Sequence, residues 1–572
     1  MGKGVFKYFS KQEYKVGLPP DWFLNPVSKN RISSTLHWTQ IDDFSSGSGD
    51  IKWIWELSRF SFVYDLVRYY ILTGDESAVQ LFWQFVNNWI VKNEPEMGPQ
   101  WKCGQEIAIR SIAWLFGLQH FYKSPFSSVE NILKLIGVLR YNALHIEKNF
   151  WYAKRCIRNN HVVSEAAGMF LIGLMLPFIP ESQKLQKKGK INLEQEADRQ
   201  IYDDGSYLQH SHNYHRLIIR IYTLCIVFGR TNNIEFSTVV SSKILKSVLF
   251  LYNLQDEHTG MLPNYGNNDG ALFQKLSSCD YSDYRPQLQA VYTTITGNRL
   301  YGAGIWDENI LWLDFGNNFH HSDKVVEPKT GLMYPIGGYY VLRDDKYDCF
   351  GVLRCANYKD RPAQADMMHF DFWCAGINVL CDPGTYSYNM KWNHDSCYFS
   401  THSHNTVAID SQDQMNRISR FLWSQWTRCE IIESRFEDNF IALAGRCFHS
   451  SGGVHTRRIH YADRVWWIQD IVTGCQHSAE INWNIMWNLS ELDNKECKIR
   501  LSDKVISIQT DYNLSLKKGY ISRYYGVEEE LIRLTGVYNK NERDEIIFNT
   551  IIGIDNDIME KDIEEIISGI KQ

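Results

Sequence analysis

At 572 residues the chain exceeds what a single hydrophobic core supports, so two or more domains are expected. Hydrophobic residues at 44% and charged residues at 22% exclude a disordered chain, and a formal net charge of -6 excludes bulk attraction to nucleic acid. Aromatic content of 14%, with 19 Trp and 32 Tyr, suits a protein that stacks rings on sugar faces, although most of these rings belong in the core.

The N-terminal 1–50 reads as an irregular extension. Its opening, MGKGVFKYFSKQEYK, carries lysines but no apolar h-region, so the chain as written is expected in the cytoplasm. Removal of a signal peptide would make it periplasmic or secreted. From Trp53 apolar residues recur at helical spacing, with stretches at 78–91, 106–122, 129–145, 161–176, 214–228 and 239–252. The longest apolar run, Ala166 to Ile179, is too short to span a bilayer and contains Pro177.

After Gly331 the texture turns to short strands, among them 338–342, 377–380, 465–468, 481–486 and 546–551, separated by Gly, Asn, Asp and Ser. The residues after Asp555 read as a short closing helix. The division expected is a helical domain over 51–310, a linker over 311–331 and an antiparallel β-sandwich over 332–572. Thirteen cysteines without a CxxC pair suggest neither a zinc ribbon nor a disulfide framework, and fit a reducing compartment.

Four segments are richer in functional residue types than folding requires. The first is Arg158-Asn159-Asn160-His161-Val162-Val163-Ser164-Glu165. Asn160 suits a helix cap, but His161 and Glu165, one turn apart on one face, are not explained by capping. Lys154, Arg155 and Arg158 form a basic cluster beside it. The second runs from Asp203 through Tyr207, His210, His212, Tyr214, His215 and Arg216. A helix starting near Ser211 places Tyr214 at its positive end, where a phenolate costs less. The third, Pro263 to Gly270 with Asn267 inside it, also reads as a turn. The fourth comprises Gln364, Asp366, His369 and Asp371, then Asp382 to Tyr388, then His402, His404 and Asn405.

The runs NNHVVSEA, DGSYLQHSHNYHR, PNYGNNDG, INVLCDPGTYSY and HNTVAID, in that order, resemble the heparinase II/III-like family, which includes heparin-sulfate lyases and some alginate lyases. The resemblance implies an incomplete (α/α) toroid followed by a β-sandwich, and β-elimination on an acidic, uronate-containing polysaccharide. By family position Asn160 neutralises the uronate carboxylate, and Tyr214, with His161 and His404, handles protons at C5 and O4. Arg158, Glu165, Tyr207, His215, Arg216, Asn267 and Tyr388 are the expected substrate contacts.

Relatives often carry a zinc held by His, Asp and His. Asp382 and His404 match the last two positions, while Gln364 stands where the first His is expected. A neutral amide is a poor zinc ligand. His369 substitutes only if the strand is shifted, and an odd displacement along a strand would turn it to the opposite face. Two further readings stay open: a uronyl C5-epimerase, which starts with the same proton abstraction, and a glycan-binding or assembly protein with a degenerate site.

Overall fold

The computed structural model describes residues 2–42, 49–313, 331–344, 346–389, 398–437, 440–462, 464–487, 489–501, 504–540 and 544–555. The expected closing helix after Asp555 lies outside the described residues, as does most of the expected linker.

The N-terminal half is helical. α1 (Lys52–Ser58), α2 (Phe62–Thr73), α3 (Ser77–Lys92), α4 (Gly104–Phe121) and α5 (Val129–Tyr152) come first. They are followed by α6 (Asn160–Met175), α7 (Ser182–Gln200), α8 (His212–Thr231), α9 (Thr238–Asn253), α10 (Arg285–Thr296) and α11 (Glu308–Leu313). These helices form the incomplete (α/α) toroid expected. Its inner members read as apolar almost all round: α6 buries every residue from Val162 to Leu174, as a helix covered on all sides must. α7 lies against α6 at short range because Gly189 has no side chain; a Cβ there would sit 2.6 Å from the Ala166 carbonyl oxygen. Sequence periodicity passed over α7, whose apolar stripe is reduced to Leu185, Leu193 and Ala197 among charged residues. The N-terminal extension is not wholly irregular either. Strands β1 (Val5–Tyr8) and β2 (Gln12–Lys15) form a hairpin that sets Phe6 against Phe62 and Phe85.

The C-terminal half is antiparallel. β3 (Gly331–Tyr334), β4 (Tyr339–Asp344), β5 (Cys349–Arg354), β6 (Phe370–Cys374) and β7 (Ile377–Leu380) form one sheet in sequential order. Next come β8 (Val407–Ile409), the small hairpin β9 (Asn416–Ser419) and β10 (Leu422–Ser424), then β11 (Arg428–Glu437), β12 (Phe440–Phe448), β13 (Val454–Ala462) and β14 (Val465–Thr473). The last are β15 (Ser478–Ile485), β16 (Leu489–Leu492), β17 (Glu496–Arg500), β18 (Val505–Thr510), β19 (Ser515–Ile521), β20 (Glu529–Asn539) and β21 (Glu545–Ile554). An eight-stranded sheet runs β11-β12-β13-β14-β21-β18-β17-β16, and a four-stranded one runs β19-β20-β15-β8. Phe370 and Phe372 of β6 meet Trp466 of β14, one of the contacts that close the apolar core between sheets.

Two compact units emerge that do not follow the sequence division. Unit 1 is 1–201, 214–248 and 270–326; unit 2 is 202–213, 249–269 and 327–572. The two early segments belong to unit 2 through specific bonds. The Asp204 carboxylate accepts from the backbone N–H groups of Ile336 and Gly337, the Asn264 side chain donates to the Ser522 carbonyl, and Asn268 N–H donates to Thr385 Oγ1. Among the described residues no helix is long and apolar enough to cross a membrane.

Candidate active site

In unit 1 the first motif opens α6. A π-helical turn over Ala153–Ile157 leaves Lys154 and Arg155 exposed, and Arg158 closes it in the left-handed conformation (φ 56°). π-turns of this kind recur at functional sites because they re-aim the chain. Arg158 is exposed, and its carbonyl accepts from Arg199. The cap of α6 is Asn159 rather than Asn160: Asn159 Oδ1 accepts from His161 N at 3.1 Å. Asn160 is therefore relieved of capping. Its Nδ2 donates to Gln105 Oε1 at 2.6 Å, and Ser164 Oγ donates to the same oxygen at 3.0 Å. Gln105 lies in the first turn of α4, so two helix N-termini hold this amide.

His161 is half-buried, with Nδ1 3.7 Å from Cys103 Sγ. One turn on, Glu165 is 4% exposed, and burial pushes its carboxyl well above the usual carboxylate range. Gly104 leaves the space: a Cβ at that position would come within 2.5 Å of Glu165 Cδ. Tyr214 is the third residue of α8, in the first turn as anticipated, and is 7% exposed.

His215 and Arg216, expected on the substrate, are each 1% exposed. The Arg216 guanidinium sits 4.4 Å and 4.1 Å from the ring centroids of Tyr281 and Tyr284, both in unit 1. Arg216 is thus packed as a cation between two aromatic faces.

In unit 2, Tyr207 is buried, with its hydroxyl donating to Gln209 Oε1. His210 and His212 are pushed down, to about 3 and about 4, chiefly by burial. His212 Nδ1 donates to the Pro263 carbonyl at 2.8 Å, which fixes its tautomer. Asn267 is half-buried, and its carbonyl accepts from Ser211 Oγ. Tyr388 is 5% exposed between the rings of Phe421 and Tyr525.

The expected metal set is rearranged. Gln364 is not part of it: Oε1 accepts from Gly266 N, and Nε2 donates to the carbonyls of Gly384 and Tyr398. His369 joins Asp382 and His404 instead, with one potential ligand atom from each lying within 4.8 Å of the others, the one such group among the described residues. The objection from strand alternation does not hold, because β6 starts only at Phe370. Met368 takes a left-handed conformation (φ 63°), so the chain from Gln364 to His369 turns rather than alternates.

The three groups fit a metal. All are 0% exposed; His404 Nδ1 lies 3.1 Å and His369 Nδ1 3.9 Å from Asp382 Oδ2. His369 Nε2 and His404 Nε2 are buried without a hydrogen-bond partner among the described residues. Two imidazoles and a carboxylate make a zinc-type donor set. Asn405 N–H occupies His369 Nδ1 at 2.9 Å, and Nε2 of that ring lies 3.6 Å from Asp371 Oδ2, beyond hydrogen-bond distance. Around them Asp371 accepts from Trp373, Asn378 and the backbone of Asp382; burial nonetheless pushes it up to about 7.

Comparison with known proteins agrees with this architecture. The heparinase II/III N-terminus profile matches residues 3–275, and the heparinase II/III-like, C-terminal profile matches 327–548. A heparin-sulfate lyase of Bacteroides stercoris is 22% identical over 422 residues, 66% of this chain and 57% of that protein. One from Pedobacter heparinus is 20% identical over 557 residues, 94% of this chain and 73% of that protein. The chain therefore spans little more than half the length of the first of these relatives. Among solved structures, a heparinase III superposes with a TM-score of 0.70 at 16% identity, covering 94% of this chain and 83% of that one. The heparan sulfate lyase of Pedobacter heparinus gives 0.61 at 17%, covering 97% and 82%. With matched profiles over most of both halves, the chain belongs to the heparinase II/III family.

Proposed function

We propose that this chain is a polysaccharide lyase that cleaves a uronate-containing polysaccharide, of the glycosaminoglycan type, by β-elimination. The observation that carries the reading is the Asn160 amide, released from capping by Asn159 and held by Gln105 at the start of α6. A uronate C5 proton is hard to remove because the neighbouring carboxylate is already negative. A fixed neutral amide that hydrogen-bonds this carboxylate lets charge delocalise into it as the proton leaves. Tyr214, in the first turn of α8, protonates the departing O4, and His161 assists as base or carboxylate clamp. One turn on from His161, burial raises the Glu165 carboxyl above its usual range, which disfavours the charged form beside the proposed site.

His369, Asp382 and His404 would hold a zinc ion, with His369 in the place expected for Gln364. Bound there, zinc supplies a fixed positive charge and Lewis acidity. The proton transfers proposed above use the protein's own side chains.

The test is near-ultraviolet absorbance of the unsaturated product during incubation with a panel of uronate polysaccharides. Wild type is expected to give a steady rise that Tyr214→Phe abolishes while remaining folded. No rise on any member, with solvent deuterium appearing at C5, would replace the lyase reading by an epimerase.

A further inference from the structure

We infer that unit 2 carries two cross-strand cysteine pairs, Cys349–Cys374 and Cys429–Cys447, each placed to close as a disulfide by exchange with a small-molecule disulfide. All twelve cysteines among the described residues are thiols here, and eleven of them are buried. The two pairs are distinguished by register. Cys349 opens β5 directly opposite Cys374 at the end of β6, and their sulfurs are 2.8 Å apart.

The ladder's phase follows from two flanking bonds. Ala375 N donates to the Asp348 carbonyl and Arg354 N to the His369 carbonyl, each at 2.9 Å. Hydrogen-bonded pairs in an antiparallel ladder recur at every second position. Both flanking pairs belong to that set, so Cys349 and Cys374 fall in a non-hydrogen-bonded pair. Such pairs hold their Cα atoms about 4.5 Å apart, inside the range of roughly 4.4–6.8 Å that a disulfide spans.

The second pair shows the same phase by a different route. Cys429 of β11 is opposite Cys447 of β12. The Cys429 N–H donates to Asn357 Oδ1 at 2.8 Å, and its carbonyl accepts from Asn357 Nδ2 at 2.6 Å. Both backbone groups are turned away from β12, so this pair is also non-hydrogen-bonded. β11 is the outermost strand of its sheet and Cys429 its second residue, which makes this end prone to open. A third thiol, Cys355, hydrogen-bonds to Cys429 and is the competing partner there.

In the exchange, one cysteine thiolate attacks the small-molecule disulfide, breaking its S–S bond and expelling one thiolate. The opposed cysteine thiolate then attacks the mixed disulfide, forming the cross-strand bond and expelling the second. The two protein protons pass to the expelled thiolates; the cysteines are oxidised and the reagent is reduced to two thiols. Burial raises the Cys349 and Cys429 thiols, so thiolate is scarce in the closed sheet and exchange proceeds as the strand ends open.

The experiment equilibrates the intact protein in glutathione buffers of rising oxidised fraction, both without and with moderate urea, so that burial does not mask the chemistry. After an acid quench, free thiols are alkylated in denaturant and the digest is examined for linked peptides. Expected are the Cys349–Cys374 and Cys429–Cys447 peptides, with the intact mass falling about 2 Da per closed pair. Cys374→Ser should abolish the first link alone and leave Cys349 alkylated. Full alkylation of all four cysteines in both conditions, persistent glutathione adducts or scrambled pairs would overturn the inference, and a Cys355–Cys429 link would overturn it at the second site.

Discussion

Gln105 is nowhere in the sequence motifs, yet its carbonyl oxygen accepts from both Asn160 Nδ2 at 2.6 Å and Ser164 Oγ at 3.0 Å, in a position 2% exposed. Replacing it by Ala removes the acceptor that orients the Asn160 amide. Ser164 Oγ keeps its bond to the Asn160 carbonyl at 3.0 Å, so the loss falls mainly on the Asn160 side chain. A buried donor deprived of its acceptor costs about 1–3 kcal/mol. If that cost is felt as misorientation of the amide proposed to bind the substrate carboxylate, at about 1.4 kcal/mol per tenfold in rate, kcat/KM falls roughly ten- to hundredfold. Gln105→Glu keeps an acceptor oxygen in place and is expected to recover most of that loss. The assay is the initial rate of unsaturated-product formation, read beside thermal unfolding so that folding losses are scored separately. Full activity in Gln105→Ala, or equal losses in the Ala and Glu variants, would refute the positioning argument.

Other outcomes follow from the same geometry. Asn159→Ala removes the cap of α6 and should cost about 1 kcal/mol, seen as a lower denaturation midpoint. His369→Ala should abolish stoichiometric zinc uptake in equilibrium dialysis, whereas Gln364→Ala should leave it intact; the opposite pattern would return the ligand role to Gln364. Asp410 sits partly buried, which raises its carboxyl, but the backbone N–H groups of Gln476, His477 and Ser478 outweigh this and bring it down to about 2. Its folded value is depressed, so its stabilisation is complete above the unfolded value of about 4 and is lost as pH falls through about 2. Asp410→Asn should flatten that acid limb in unfolding measured across this range.

Much of the candidate site's local structure is legible in the sequence because its residues are contiguous. The run from Asn159 to Glu165 and the tract around Tyr214 each lie at one helix start, so capping and dipole arguments place them from sequence alone. What escaped depends on partners far along the chain. Gln105 is 55 residues from Asn160, and no local pattern marks it. His369 was discounted by a strand rule, and the strand does not begin until the following residue. The cap falls one position before Asn160, so the Asn160 side chain bonds to Gln105 of α4 rather than to its own helix. α7 was missed because a helix packed mainly along one stripe needs few apolar residues to bury it.

The interleaving of the two units also sets a timetable. Asn264 must wait for Ser522, 258 residues later, before its side chain meets the carbonyl that receives it. At a synthesis rate of roughly 5–20 residues per second, that wait is on the order of 13–50 s. Throughout it, the segments at 202–213 and 249–269 emerge early but lack the strands with which they pack, while the helices around them can already assemble. Slowing or pausing translation between these segments and the last strands should therefore lower the yield of folded protein more than a pause placed earlier, within the first 201 residues.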